Sequence, residues 1–250
     1  MEEYLLHPDR HIKVEHAFNI REIGGYPTRD GQTTKWQRFL RSDGLHQLHE
    51  ADMQVLLDYG VRRIVDLRMP MELESSPNVF SGSELIDYRH RSFLDPAVLR
   101  KLEQEPVQDR THLRADRGYR AWLDSSQPLI RDILVSLSDE DAGVALYHCS
   151  GGKDRTGLVT ALLLGLVGVA DDLIAADYAL TARYNINSTL KPPESDIHNW
   201  QDYEAAYCPP VVMQEVLEHL KQSYGGAPDY VRHIGVTHDQ VERLRRQLLE

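Results

Sequence analysis

The chain has 250 residues, a formal net charge of −11 and two cysteines, Cys149 and Cys208. That length suits one α/β domain able to bury its core without disulfides or metal, and so few cysteines point to a reducing compartment. The acidic balance, with no long Lys/Arg run, excludes the basic footprint of a nucleic-acid binder.

Along the chain, Ile12, Val14, His16, Phe18 and Ile20 recur at period two and predict a first strand. Turn chemistry follows at Gly24-Gly25-Tyr26-Pro27 and Arg29-Asp30-Gly31. Trp36, Phe39 and Leu40 predict another strand over 36–41. Leu48, Asp52, Val55, Leu56 and Tyr59 have helical spacing, and Gly60 stands where a helix-ending glycine belongs. Val61 to Leu67 is a β-branched run typical of a buried strand, and Leu85 to Phe93 is a weaker strand candidate. Asp95-Pro96 has the chemistry of a helix start, and two or three helices are expected over 95–138, the last from Ser126-Gln127-Pro128. Val144 to His148 reads as a short apolar strand, 149–155 as a loop, and Leu158 onward as a helix. Residues 171–184 continue helical and 186–210 read as irregular. Val211 to Tyr224 is helical and stops at Gly225-Gly226. Thr237-His238-Asp239-Gln240 has the form of a capping box opening a last helix. Helices and strands alternate throughout, so the class is α/β, a single domain over 1–250. Candidate lid elements lie within 95–138 or 186–210.

The N-terminus is acidic and lacks a long apolar stretch, so no signal peptide is expected. The most apolar run, Leu158 to Ala170, is shorter than the ~20 residues a bilayer requires. The expected location is cytoplasmic, with export by a route needing no signal peptide left open. The twelve histidines show no His-Glu-x-x-His spacing, so no metal or cofactor is expected.

His148-Cys149-Ser150-Gly151-Gly152-Lys153-Asp154-Arg155-Thr156-Gly157 lies between a predicted strand and a predicted helix. Such a junction points successive backbone N–H groups at one spot and adds the positive end of a helix. Gly151 and Gly152 allow tight curvature and leave room for an anion. A thiolate is stabilised at a helix N-terminus near arginine, and it can attack phosphorus to form a covalent intermediate. Arg155, six residues after Cys149, returns to the same centre when the loop closes. Its guanidinium can hold two phosphoryl oxygens in a fork.

Cys-x5-Arg-Thr after a strand resembles the protein tyrosine phosphatase superfamily. The fuller string resembles its bacterial and fungal branch with Lys-Asp inside the loop, which includes enzymes that also act on phosphoinositides. The similarity extends to Asn19-Ile20-Arg21-Glu22-Ile23-Gly24-Gly25-Tyr26, to Arg41-Ser42-Asp43-Gly44-Leu45, to Asp66-Leu67-Arg68, and to the end of the chain from Tyr224-Gly225-Gly226. Ile20 and Glu22 depart from the branch's Phe and Asp. The resemblance implies a cysteine-phosphatase-like central sheet flanked by helices, and a metal-independent enzyme cleaving phosphotyrosine, with phosphoserine/threonine or phosphoinositides as further substrates.

The expected nucleophile is Cys149, with the amides of Ser150, Gly151, Gly152, Lys153, Asp154 and Arg155 around the phosphoryl group. Asp154 and Asp66 both stand as candidates for the general acid. Lys153 is associated in the branch with additional substrate phosphates. His148 is read as an orienting partner of the loop, Thr156 as a hydrogen-bond donor to the sulfur, and Cys208 as a structural thiol. The Asn19 to Tyr26 segment is read as fold packing. A phosphate-binding module without turnover, a rhodanese-like sulfurtransferase and a cysteine protease are the competing readings. Intact Cys149, Asp154 and Arg155 speak against the first, Arg155-Thr156 against the second. The third lacks a His–Asn or His–Asp pair assigned to Cys149. Oligomeric state is not legible.

Overall fold

The computed structural model describes residues 2–103, 113–140, 143–188 and 197–250. Five strands form one sheet in the order β1-β2-β5-β3-β4. They are β1 (Arg21–Glu22), β2 (Phe39–Ser42), β3 (Val61–Asp66), β4 (Asp87–His90) and β5 (Val144–His148). β1 runs antiparallel to β2, and every other neighbouring pair is parallel. Parallel strands covered on both faces read as continuous apolar runs, and all five residues of β5 are buried.

Strand side chains alternate between two cores. Ala145 and Tyr147 join one apolar cluster, whereas Val144 and Leu146 join the other. The register against β5 shifts between Val61 and Arg63. The extra residue there lets Val61 and Ile64, three apart, enter the same cluster.

The helices among the described residues are α1 (Glu2–Leu5), α2 (Glu50–Tyr59), α3 (Pro70–Ser75), α4 (Pro96–Glu103), α5 (Leu113–Ser125), α6 (Gln127–Leu137), α7 (Asp154–Leu166), α8 (Asp171–Ala179), α9 (Thr181–Asn185), α10 (Trp200–Tyr207), α11 (Pro210–Tyr224), α12 (Ala227–His233) and α13 (His238–Leu248). α7 is apolar on every side and buried nearly throughout, the pattern of a helix inside a core. Gly60 and Gly225 close α2 and α11 at φ 101° and 89°. The capping box at Thr237 is formed, with the Thr237 side chain accepting from Gln240 N and the Gln240 side chain accepting from Thr237 N.

Three sequence expectations change. Residues 12–20 form no strand in the sheet; the first is Arg21–Glu22. Ile12 N donates to Ile20 O, and three other N–H groups of the segment are satisfied by side chains. Glu15 N donates to Asp52, and Phe18 N and Asn19 N donate to the two oxygens of Asp43. The segment 186–210 is not wholly irregular, since α10 lies within it and is capped by Asn199. α7 begins at Asp154, four residues before the apolar run, so the loop's last residues are already helical. Among the described residues three helices occur over 95–138, within the two or three expected. The two candidate lid segments include 104–112 and 189–196, which lie outside the described residues. No helix among the described residues is long and apolar enough to cross a membrane.

Candidate active site

Cys149 is the first residue beyond the central strand β5, at the C-terminal edge of the sheet, where α/β folds open their crevice. The loop it begins is held from outside by its carbonyl oxygens. Cys149 O accepts from His148 Nδ1 at 3.0 Å and Ser150 O from Gly44 N at 2.8 Å. Gly151 O accepts from Asn185 Nδ2 at 2.8 Å, and Gly152 O from Arg41 Nη2 at 2.8 Å and Asn19 Nδ2 at 3.1 Å. In a trans peptide the N–H points opposite to the C=O. Tying these carbonyls outward therefore turns the amides of Ser150, Gly151, Gly152 and Lys153 inward, as an anion cradle. Gly152 has φ 63°, and a Cβ there would lie 2.6 Å from Asp43 N. Only glycine fits.

The floor of the loop is a buried charge network. Asp177 accepts from Arg21 Nε at 3.3 Å, Arg41 Nη1 at 2.5 Å and the Tyr26 hydroxyl at 2.9 Å. Arg21 also donates to the Asn19 side-chain oxygen. Asn19, Arg21, Arg41 and Asp177 are all fully buried. Burial pushes the Asp177 carboxyl up, but Arg21 and Arg41 outweigh it and bring it to about 2. The segment read as packing thus also holds the loop carbonyls in place.

Cys149 is 1% exposed, and Thr156 Oγ1 donates to its sulfur at 3.2 Å. Arg155 is gripped by Glu72 of α3, at 2.5 Å from Nη1 and 2.9 Å from Nη2, and the Ser150 hydroxyl donates to the same carboxylate. Nη2 also donates to the Ser150 hydroxyl at 3.4 Å, so three of the five guanidinium N–H groups are engaged and two remain for a ligand. Burial pushes Glu72 up, yet Arg155 and Ser150 outweigh it and bring it to about 2. Burial also works against the Arg155 charge, but the facing Cys149 and Glu72 raise it above its ordinary range.

The two candidate acids sit differently. Asp154 is the first residue of α7, with its side chain 36% exposed. Its Oδ1 accepts from the Tyr119 hydroxyl and lies 3.4 Å from Lys153 Nζ. Asp66 is fully buried and surrounded by Arg68 at 2.7 Å, the Tyr88 hydroxyl at 3.1 Å, Asn78 Nδ2 at 3.2 Å and His148 Nε2 at 3.2 Å. Burial would raise it, but His148 and Arg68 hold it far below the usual carboxylate range. Lys153 is not a free cation: its Nζ donates to Tyr207 O at 3.0 Å. Cys208 is buried, and burial pushes its thiol up to about 12. Among the described residues no group of three His, Cys, Asp or Glu side chains could hold a metal ion.

The family model that matches this chain describes the tyrosine phosphatase family and spans residues 12–250. The chain belongs to that family. It is a cysteine-dependent phosphatase, a hydrolase of phosphate monoesters. A tyrosine-protein phosphatase from Nostoc commune is 29% identical over 84% of this chain and 74% of its own length. The triple specificity protein phosphatase PtpB of Mycobacterium tuberculosis is 29% identical over 42% of this chain and 43% of its own. Among solved structures, TpbA of P. aeruginosa shares 12% identity over 70% of this chain and 80% of its own, at a TM-score of 0.39. A likeness that loose carries no argument.

Around the phosphatase loop, the structure gathers Cys149 to Thr156 and His148, and it seats Asp66 behind His148. Sequence reasoning missed Glu72, Tyr119, Asp177 and Asn185. One signal was available for Asp177, a charge in the middle of the otherwise apolar run Leu173 to Ala179. Such a residue is seldom buried unpaired.

Proposed function

We propose that this phosphatase works through Cys149, with Asp154 as general acid and Asp66 as the carboxylate that orients His148. The Cys149 thiolate attacks phosphorus while the loop amides and the Arg155 guanidinium hold the phosphoryl oxygens. The P–O bond to the leaving group breaks, and that oxygen takes the proton of Asp154. Water then attacks the phosphocysteine, giving its proton back to the Asp154 carboxylate. The P–S bond breaks with its electron pair left on sulfur, and phosphate departs. Thr156 stabilises the departing thiolate through its hydroxyl.

The observation that carries this reading is the cradle itself. A buried cysteine stands at a helix start, its loop carbonyls tied outward and an arginine held beside it by Glu72. Asp66 is saturated by four partners and kept ionised, which suits a fixed hydrogen-bond acceptor and not a proton donor. Phosphotyrosine is the first substrate in this reading. A relative named for triple specificity supports more than one substrate class, and the resemblance suggests phosphoserine/threonine and phosphoinositides as the others. The domain spans 1–250, and both candidate lid segments border the cleft, through Tyr119 and through Tyr207. A cytoplasmic site of action is supported by two cysteines that are both free.

The test is Cys149→Ser, which keeps the cradle but replaces the sulfur nucleophile with a hydroxyl, a far weaker one. Initial rates on a phosphotyrosine peptide fall to background, while binding of that peptide by calorimetry survives. Substantial turnover in this variant places the nucleophile elsewhere.

A further inference from the structure

Tyr119, on α5, is buried, and its hydroxyl donates to Oδ1 of Asp154. Its other partner is the hydroxyl of Tyr178 on α8, 3.1 Å away and equally buried. The two rings meet edge to face, with centroids 6.3 Å apart at 81°. The Tyr178 ring packs on α7 at Gly157, where an added Cβ would come within 3.0 Å of it. The phenol pair is therefore fixed by three helices, and it reaches the rim of the site at one carboxylate oxygen. Among the described residues the other polar contact of that carboxylate, Lys153 Nζ at 3.4 Å, also falls on Oδ1.

We propose that Tyr119, backed by Tyr178, is a positioning residue for the general acid: it holds the Asp154 carboxyl by Oδ1, so that the proton given to the leaving oxygen is carried on Oδ2. The inference rests on the reading of Asp154 as the acid. A carboxyl with one oxygen occupied by a donor has a defined proton-bearing oxygen, whereas a freely rotating one spends part of its time turned away. Burial and the facing Asp154 keep the Tyr119 phenol well above its ordinary range, so it acts as a donor and does not compete as the acid. The other groups facing Asp154 are Lys153 and Arg155 on its own loop, Tyr178 on α8, Tyr203 on α10 and Cys208 just beyond it.

Tyr119→Phe removes one hydroxyl and keeps the ring. The turnover number is measured against pH on a phosphotyrosine peptide, whose leaving group needs a proton, and on 4-nitrophenyl phosphate, whose leaving group needs it much less. The expected loss is about tenfold on the peptide and under about twofold on the activated ester, part of the 10²–10⁴-fold that a general acid supplies. The alkaline limb moves to higher pH, because the carboxylate has lost a donated hydrogen bond. Tyr178→Phe gives the same split at smaller size, and it carries the test if Tyr119→Phe does not fold. Equal losses on both substrates with an unmoved limb overturn the inference and leave the phenols as packing. Asp154→Asn is run in parallel. If it shows the leaving-group split and the phenol variants do not, only the positioning inference falls. If Asp154→Asn itself shows no split, the acid reading falls and takes the inference with it.

Discussion

The loop has a floor and a rim, and the two use charge in different ways. On the floor Arg21, Arg41 and Asp177 are sealed from solvent and hydrogen-bond with one another, with backbone, and with the side chains of Asn19, Tyr26 and Thr181, while the Tyr184 ring lies against Arg21. On the rim Glu72, Lys153, Asp154 and Arg155 keep between 12% and 36% of their side-chain surface. Removing one member of a buried charged set leaves the others uncompensated, and this costs stability. A rim group keeps water as an alternative partner, so its removal costs little stability and shows in the chemistry. The floor holds a shape, and in the proposed mechanism the rim works on the substrate.

The largest expected effect tests the floor. Asp177→Asn leaves two buried guanidinium groups facing a neutral amide and destabilises the fold by about 3–5 kcal/mol, read as a lowered Tm and denaturation midpoint. The pH dependence has a definite sign. Asp177 is held at about 2 against an ordinary 3.8. Its contribution is therefore complete above the ordinary value and is lost as pH falls toward the lower one. The variant should lack that part of the acid destabilisation. An unchanged Tm would dissolve the distinction between floor and rim.

Glu72→Gln probes the rim. It keeps the shape of the clamp on Arg155 and removes its charge. Misplacing a transition-state donor by about 1 Å costs on the order of a hundredfold, and a tenfold to hundredfold drop in kcat/KM is expected with Tm nearly unchanged. A large stability loss with intact kinetics would place Glu72 on the floor. The smallest effect is expected at Lys153, whose ammonium is engaged by the end of α10. Lys153→Ala should lower rates on a multiply phosphorylated inositol lipid more than on a singly phosphorylated tyrosine peptide, by about tenfold or less. Equal losses on the two would make Lys153 a tether of α10 alone.

What was legible in the sequence follows the same division by distance along the chain. The loop, β3, β5, the glycine stops and the capping box at Thr237 are local features, written in consecutive residues. The clamp between Glu72 and Arg155 spans 83 positions, and the contact of Arg41 with Asp177 spans 136. A single sequence carries no periodicity or spacing for contacts of that kind. α3, which bears Glu72, has only six residues and no buried stripe, so nothing marked it as an element. The misread strand over 12–20 shows the converse failure. Alternation was present, but Asp43 and Asp52 satisfied the backbone groups that a neighbouring strand would have taken.

The loop hangs between β5 and α7, the strand at the middle of the sheet and a helix buried nearly throughout. Segments of that kind exchange their amide hydrogens only when the whole domain opens, whereas exposed edges and termini exchange by local fraying. The strand and helix that anchor the loop therefore belong to the slowest-exchanging unit of the protein, whereas the cradle amides themselves, turned into the cleft, exchange from the folded state. A loop anchored at both ends by such elements should keep its shape until the domain opens, and the curve of inactivation should superimpose on the curve of global unfolding.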